Sequence, residues 1–291
     1  MTGSRLARAV LAVLLCRALF AFPAAHAGLQ AESAGRPCPA TRWLRSVWMW
    51  HYRQVLRHPQ RVVRVLERHG IGRVYLQIAP PLSAFRPFLG RAHEAGIQVF
   101  ALEGSPGAVL DPAPILKHTA ELARFNARPG PRFQGLQLDI EPYALKRFWK
   151  HQRRYLSRYL GLLSKVRQAA PPGFWLSVAI PSWFSRLRFD EHSMSALAVG
   201  LADEIVIMSY HGGMGSAERA AAPAVRQARD AHKPAYIGIQ PGQQRSSGAR
   251  TRTGLTRASG YVLESYSTLD QVAWRPTAPD VPRSCSTGQR G

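Results

Sequence analysis

The chain has 291 residues, enough for one large domain with an ample core or for two small ones. It carries 39 Lys and Arg against 17 Asp and Glu, a formal charge of +22, which favours an acidic partner such as an anionic polysaccharide, an anionic lipid or a nucleic acid. The charge is spread along the chain with no nucleic-acid module and no ladder of aromatic and basic residues, which argues against specific nucleic-acid recognition and for a solvated basic surface.

The chain opens on MTGSRLARAVLAVLLCRALFAFPAAHA. Arg5 and Arg8 precede an apolar run, and Ala25-His26-Ala27 fits a small-x-small cleavage site, so residues 1–27 read as a secretory signal. Arg17 interrupts the apolar run, which is too short for a membrane anchor, and the mature chain is expected to be secreted or periplasmic without a transmembrane segment. Cleavage leaves Cys38 and Cys285 near opposite ends. In an oxidising compartment they either form a disulfide tying the termini together or remain two unpaired thiols. Neither has metal-ligand spacing, and no metal or other cofactor is expected.

Residues 28–44 form a lead-in, and from 45 to 274 the chain reads as repeated strand–helix units. ERHGIGRVYLQIAP and AHEAGIQVFALEG echo each other: a helix end, then Gly70 or Gly96 as a left-handed cap, then a short buried strand. The candidate strands in chain order are Ser46–Trp50, Arg73–Ile78, Gln98–Glu103, Gly135–Glu141, Trp175–Ile180, Glu204–Tyr210, Ala235–Gln240 and Tyr261–Ser265. Between the fourth and fifth, Leu145–Gln168 carries apolar residues at helical spacing. Lys146, Arg147, Lys150, Arg153, Arg154 and Arg158 fall largely on its other face, as a solvated outer helix requires.

Eight strands alternating with helices over about 250 residues predict a (β/α)8 TIM barrel. A doubly wound open sheet is the alternative, but no glycine-rich nucleotide fingerprint follows the first strand. Residues 242–259, rich in Gly, Ser, Thr and Arg, leave little room for a helix between strands seven and eight, so that helix is stunted or the eighth strand lies elsewhere. Residues 275–291 read as an irregular tail.

In a barrel, chemistry sits where the strands end. Trp48 and Trp50 share a face of the first strand, Gln77 ends the second, Glu103 the third, and Asp139 and Glu141 the fourth. Trp183 follows the fifth, Met208, Tyr210 and His211 end the sixth, and Glu264 lies on the eighth. Within FQGLQLDIEPY, Leu136, Leu138 and Ile140 take one face while Gln137, Asp139 and Glu141 take the other; Pro142 then stops the strand and Tyr143 enters the loop. Carboxylates ringed by aromatic side chains suit sugar binding, and a site that raises a glutamate's pKa beside a charged aspartate supports general-acid chemistry. Loop HGGMGS, beginning at His211, reads either as an anion-binding turn or as a flexible loop.

FQGLQLDIE resembles the fourth-strand signature D-G-x-D-x-D-x-E of glycoside hydrolase family 18, the chitinase-like barrels. The resemblance implies that Glu141 is the proton donor and that Asp139 orients the substrate's acetamido group. IVIMSYH is similar to the family's sixth-strand M-x-Y-[DN], which implies that the Tyr210 hydroxyl steadies that group with Met208 beneath it. In that family the substrate's own N-acetyl oxygen attacks the anomeric carbon, so no protein nucleophile is needed. Gln134 and Gln137 stand where the signature has its first two aspartates, Glu103-Gly104-Ser105-Pro106-Gly107 stands for Ser-x-Gly-Gly, and no tryptophan marks the eighth strand.

These departures keep a second mechanism open. If Glu103 or Glu264 approaches Glu141 to about 5 Å, a retaining double displacement becomes available, and a wider gap suits inversion. The expected substrate is a polysaccharide or oligosaccharide, acidic or built of amino sugars. A sugar-binding barrel without catalysis and an envelope scaffold held to acidic polymers by its basic surface are the competing readings; the oligomeric state is left open.

Overall fold

The computed structural model describes residues 44–210, 212–240 and 258–271. Eight parallel strands close into a barrel: β1 Leu44–Met49, β2 Arg73–Gln77, β3 Gln98–Glu103, β4 Gly135–Leu138, β5 Trp175–Pro181, β6 Glu204–Met208, β7 Ala235–Ile239 and β8 Gly260–Leu263. Each strand pairs with its neighbours in sequence, and β8 closes the ring on β1 with Leu44 opposite Gly260. The eight predicted strands are all present, with no end displaced by more than three residues. The helix doubted between β7 and β8 falls outside the described residues, as do the signal, Cys38, His211, Cys285 and the tail.

Helices cover the outside: α1 Tyr52–Arg57, α2 Pro59–Arg68, α3 Arg86–Glu94, α4 Ala113–Asn126, α5 Gln152–Ala169, α6 Met194–Leu201 and α7 Met214–Asp230. A short antiparallel hairpin, Arg188–Phe189 with His192–Ser193, precedes α6. Gly70 and Gly96 follow their helices at φ +61° and +70°, the left-handed conformation expected of caps there. The helix predicted over Leu145–Gln168 begins only at Gln152. Residues 142–151 instead make two short 3-10 turns, Pro142–Ala144 and Trp149–His151. Lys146, Arg147 and Lys150 therefore lie on a loop at the carboxyl end of the barrel and not on the outer face of a helix.

The strand period divides the core in two. Val47, Val74, Val99, Leu136, Val178, Ile205, Ile237 and Leu263 face the helices in one large cluster. Trp48, Tyr75, Phe100, Leu102, Ala179, Val206, Met208, Tyr236 and Val262 fill the barrel itself. Inside, the side chains form tiers. At the amino end Arg73 Nη1 meets Glu204 Oε2 at 2.6 Å, and the Tyr75 hydroxyl donates to Glu204 Oε1 at 2.8 Å. The Arg73 guanidinium also donates to Gln98 and lies 4.8 Å from both the Phe100 and Tyr236 rings. A charge buried so deeply is tolerated because every polar edge has a partner.

Above this plug Trp48 Nε1 donates to Gln137 Oε1, and Gln137 Nε2 donates to Ser177 Oγ at 3.1 Å. Gly238 leaves the space Trp48 needs, for a Cβ there would stand 2.8 Å from the indole ring. The third tier is the open end.

Candidate active site

A cavity of about 300 Å3 opens at the carboxyl end of the barrel. Trp48 forms part of its floor and Trp50 its side. Asp139 and Glu141 enter from β4, Met208 and Tyr210 from β6, and Glu264 from the end of β8. The β3–α4 loop supplies the remaining wall through Gly104, Ser105 and Pro106. Seven residues expected at the site thus share one cavity.

The β4 ladder ends at Leu138, but the Asp139 N–H still donates to the Glu103 carbonyl at 2.9 Å, which holds the extended backbone for one more residue. Leu138 and Ile140 stay in the outer core while Asp139 and Glu141 stay inward, so the alternation read in the sequence extends past the strand. Pro142 then starts a 3-10 turn, which turns the chain away and leaves Glu141 at the rim.

Burial pushes the Asp139 carboxyl up to about 7, and the neighbouring Glu141 pushes it the same way. Its Oδ1 is buried and has no hydrogen-bond partner among the described residues. Here the structure departs from expectation: the carboxyl raised toward neutrality is the aspartate. Burial also drives the Tyr210 hydroxyl well above its usual range, with Asp139, Glu264 and Glu141 adding to the effect, so it stays a neutral donor facing three carboxylates. The Tyr143 hydroxyl is raised by burial and by the nearby Glu141 carboxylate. Behind the site Tyr159 is fully buried on α5, and its hydroxyl is raised by burial and by Asp139.

Other expected residues lie elsewhere. Glu103 is on the outward face of β3, where its carboxylate lies 2.9 Å from Nδ1 of His118 on α4. The inward positions there belong to Phe100 and Leu102. Of the two candidate second carboxylates, Glu264 therefore shares the cavity with Glu141 and Glu103 does not. Gln137 does point inward, but it is fully buried beneath the cavity and occupied by Trp48 and Ser177. Gln77 ends β2 and is not among the cavity walls. Tyr143 and Trp183 stand behind the rim, ring centroids 5.1 Å apart.

Sequence reasoning passed over Gly104. A Cβ at this position would stand 2.0 Å from the Asp139 carbonyl oxygen and 2.7 Å from its carbon, so the bare backbone lets β3 and β4 approach where the carboxylates emerge. The signal was a glycine directly after a buried strand. Gly104→Ala should displace Asp139, lower stability by about 1–3 kcal/mol and reduce any turnover by roughly 100-fold. Thermal unfolding alongside the activity assay checks both parts, and an unchanged rate would show that the approach is not needed.

No family model matches the chain, and no curated protein matches it. Solved structures do. The chain is similar to a protein assigned as an alpha-L-fucosidase from Bacteroides thetaiotaomicron VPI-5482, with TM-score 0.52 and 10% identity over 84% of this chain and 92% of that one. It is similar to a chitinase from Bacteroides thetaiotaomicron, with TM-score 0.49 and 13% identity over 69% and 68%. Tryptophan synthase from Mycobacterium tuberculosis matches with TM-score 0.45 and 12% identity over 79% and 85%. Many of the similar structures are glycoside hydrolases. At such identities what is shared is the barrel. Chemistry has to be argued from the site.

Proposed function

We propose that the protein is an exported glycoside hydrolase that cleaves a polysaccharide, an amino-sugar polymer, in the periplasm or outside the cell. The observation that carries this reading is the cavity in which Asp139, Glu141 and Glu264 meet Trp48, Trp50 and Tyr210 at the carboxyl end of the barrel. Aromatic rings offer faces for the apolar side of a sugar, and half-buried carboxyls supply and take protons.

In this reading the acetamido oxygen of the bound sugar attacks its anomeric carbon while Glu141 gives a proton to the departing glycosidic oxygen. Asp139 orients the acetamido group, and the Tyr210 hydroxyl donates to its oxygen. Water then attacks the same carbon, the ring formed by the acetamido group opens, and the proton returns to Glu141. Asp139 keeps its proton up to about pH 7 because burial, and after it the neighbouring Glu141 charge, oppose its ionisation. Cys38 and Cys285 are proposed as a disulfide of the exported chain.

A second reading, a sugar-binding barrel without catalysis, is favoured by Gln137, whose amide is used up in core bonds at a position where the resembling family has an acid. Incubation with N-acetylglucosamine oligosaccharides separates the two. Hydrolysis yields new reducing ends, whereas a binding barrel retains the oligosaccharide unchanged; release of no reducing ends from any amino-sugar oligomer would overturn the enzymatic reading.

A further inference from the structure

The loop between β4 and α5 carries features that the proposed reaction leaves unused. Trp149 is 68% exposed, yet it is not loose. Its ring lies 5.1 Å edge-on from the fully buried Phe148 and 5.8 Å from Trp183 at a shallow 34°. Trp183 in turn lies 5.1 Å from Tyr143, whose hydroxyl feels the Glu141 charge. A continuous line of rings therefore runs from the catalytic rim to an exposed indole.

Lys146, Arg147 and Lys150 flank that indole in the chain and Arg154 follows in the first turn of α5, all exposed. None has an ion-pair partner among the described residues, and no acidic residue occurs from Pro142 to Gln152. Arg153 shows the contrast, for it pairs with Asp190 at 2.6 Å. A single exposed aromatic side chain is ordinary on a protein surface, and so is a basic run. Here a held indole, uncompensated cations and continuity with the cavity coincide on one ten-residue loop.

We propose that this loop is an outer subsite that binds an acidic sugar of the glycan chain, its ring on Trp149 and its carboxylate among Lys146, Arg147 and Lys150. The inference rests on the glycosidase reading and narrows its substrate to a polymer bearing negative charge. Stacking places the apolar face of the sugar on the indole, and the cations supply short-range attraction that added salt weakens. A nucleic acid would meet the same charges, but one exposed indole offers no ladder of stacking platforms along a strand.

Binding is measured by calorimetry in the Glu141→Gln background, in which turnover is too slow to consume the probe. The probes are an alternating glucuronate–N-acetylglucosamine oligosaccharide, an all-N-acetylglucosamine oligosaccharide of equal length, and an oligothymidylate. The acidic sugar should bind about tenfold more tightly than the neutral one at low salt, as three weak exposed charge contacts allow. The triple variant Lys146→Gln, Arg147→Gln, Lys150→Gln should erase that preference and its salt dependence while keeping neutral binding. Trp149→Ala should weaken both sugars. Equal affinity for the two sugars, a preference that survives the triple variant, or tighter binding of the oligothymidylate overturns the proposal. If the proposal fails while the wild-type protein still releases reducing ends from the neutral oligomer, the glycosidase reading stands; if neither sugar binds and no ends appear, both fall.

Discussion

Glu141→Gln is expected to reduce hydrolysis by about 1000-fold, within the range by which a positioned proton donor accelerates a reaction. The substitution keeps the shape of the side chain, but an amide cannot hand a proton to a leaving oxygen. The loss should fall on kcat with KM nearly unchanged, because the bond to the leaving oxygen is strongest in the transition state. Circular dichroism should show the barrel intact. Retention of full turnover by the variant would remove Glu141 from the chemistry.

Asp139→Asn is expected to stabilise the fold at pH 8 by about 2–4 kcal/mol, from a shift of some three pKa units at 1.36 kcal/mol each. The sign follows from proton binding. An aspartate in an unfolded chain titrates near 3.8, whereas burial and Glu141 hold Asp139 at about 7 in the fold. Between these values the folded state binds the extra proton, so stability falls as pH rises. Below about pH 3 both states are protonated, and the variant and wild type should unfold alike. Above about pH 7 the wild type carries the full cost of a largely buried charge, which the asparagine lacks. Melting curves at pH 3 and pH 8 test this. A variant no more stable at pH 8 would mean that Asp139 is better solvated than its surroundings indicate. Stability gained where activity is lost is the usual mark of a site held against its own electrostatics.

The barrel was legible because the pattern of caps and strands repeats, and because Leu136–Glu141 alternates without a break, which fixes which face meets the interior. Glu103 was misread for the opposite reason. VFAL is a continuous apolar run, buried on both faces, and gives no parity from which to tell that Leu102 turns inward and Glu103 outward. Gln137 shows a further gap. Its face was readable, but its depth beneath the cavity depends on the stagger between strands, which no single strand encodes. The start of α5 was hidden because apolar spacing persists through the 3-10 turns and no Ser, Thr, Asp or Asn cap stands before Gln152. The polar tie between Arg73 and Glu204, 131 residues apart, leaves no local trace at all.

The bonds made by Gln137 also bear on how the site can change. The Gln137 amide serves the Trp48 ring and the Ser177 hydroxyl together. Replacing it by an aspartate would take more than one step. An aspartate here is shorter, cannot donate to Ser177 and would place a further charge below Asp139. Exchange at position 137 is therefore tied to its neighbours: Trp48 and Ser177 would each need another partner before the amide could be given up.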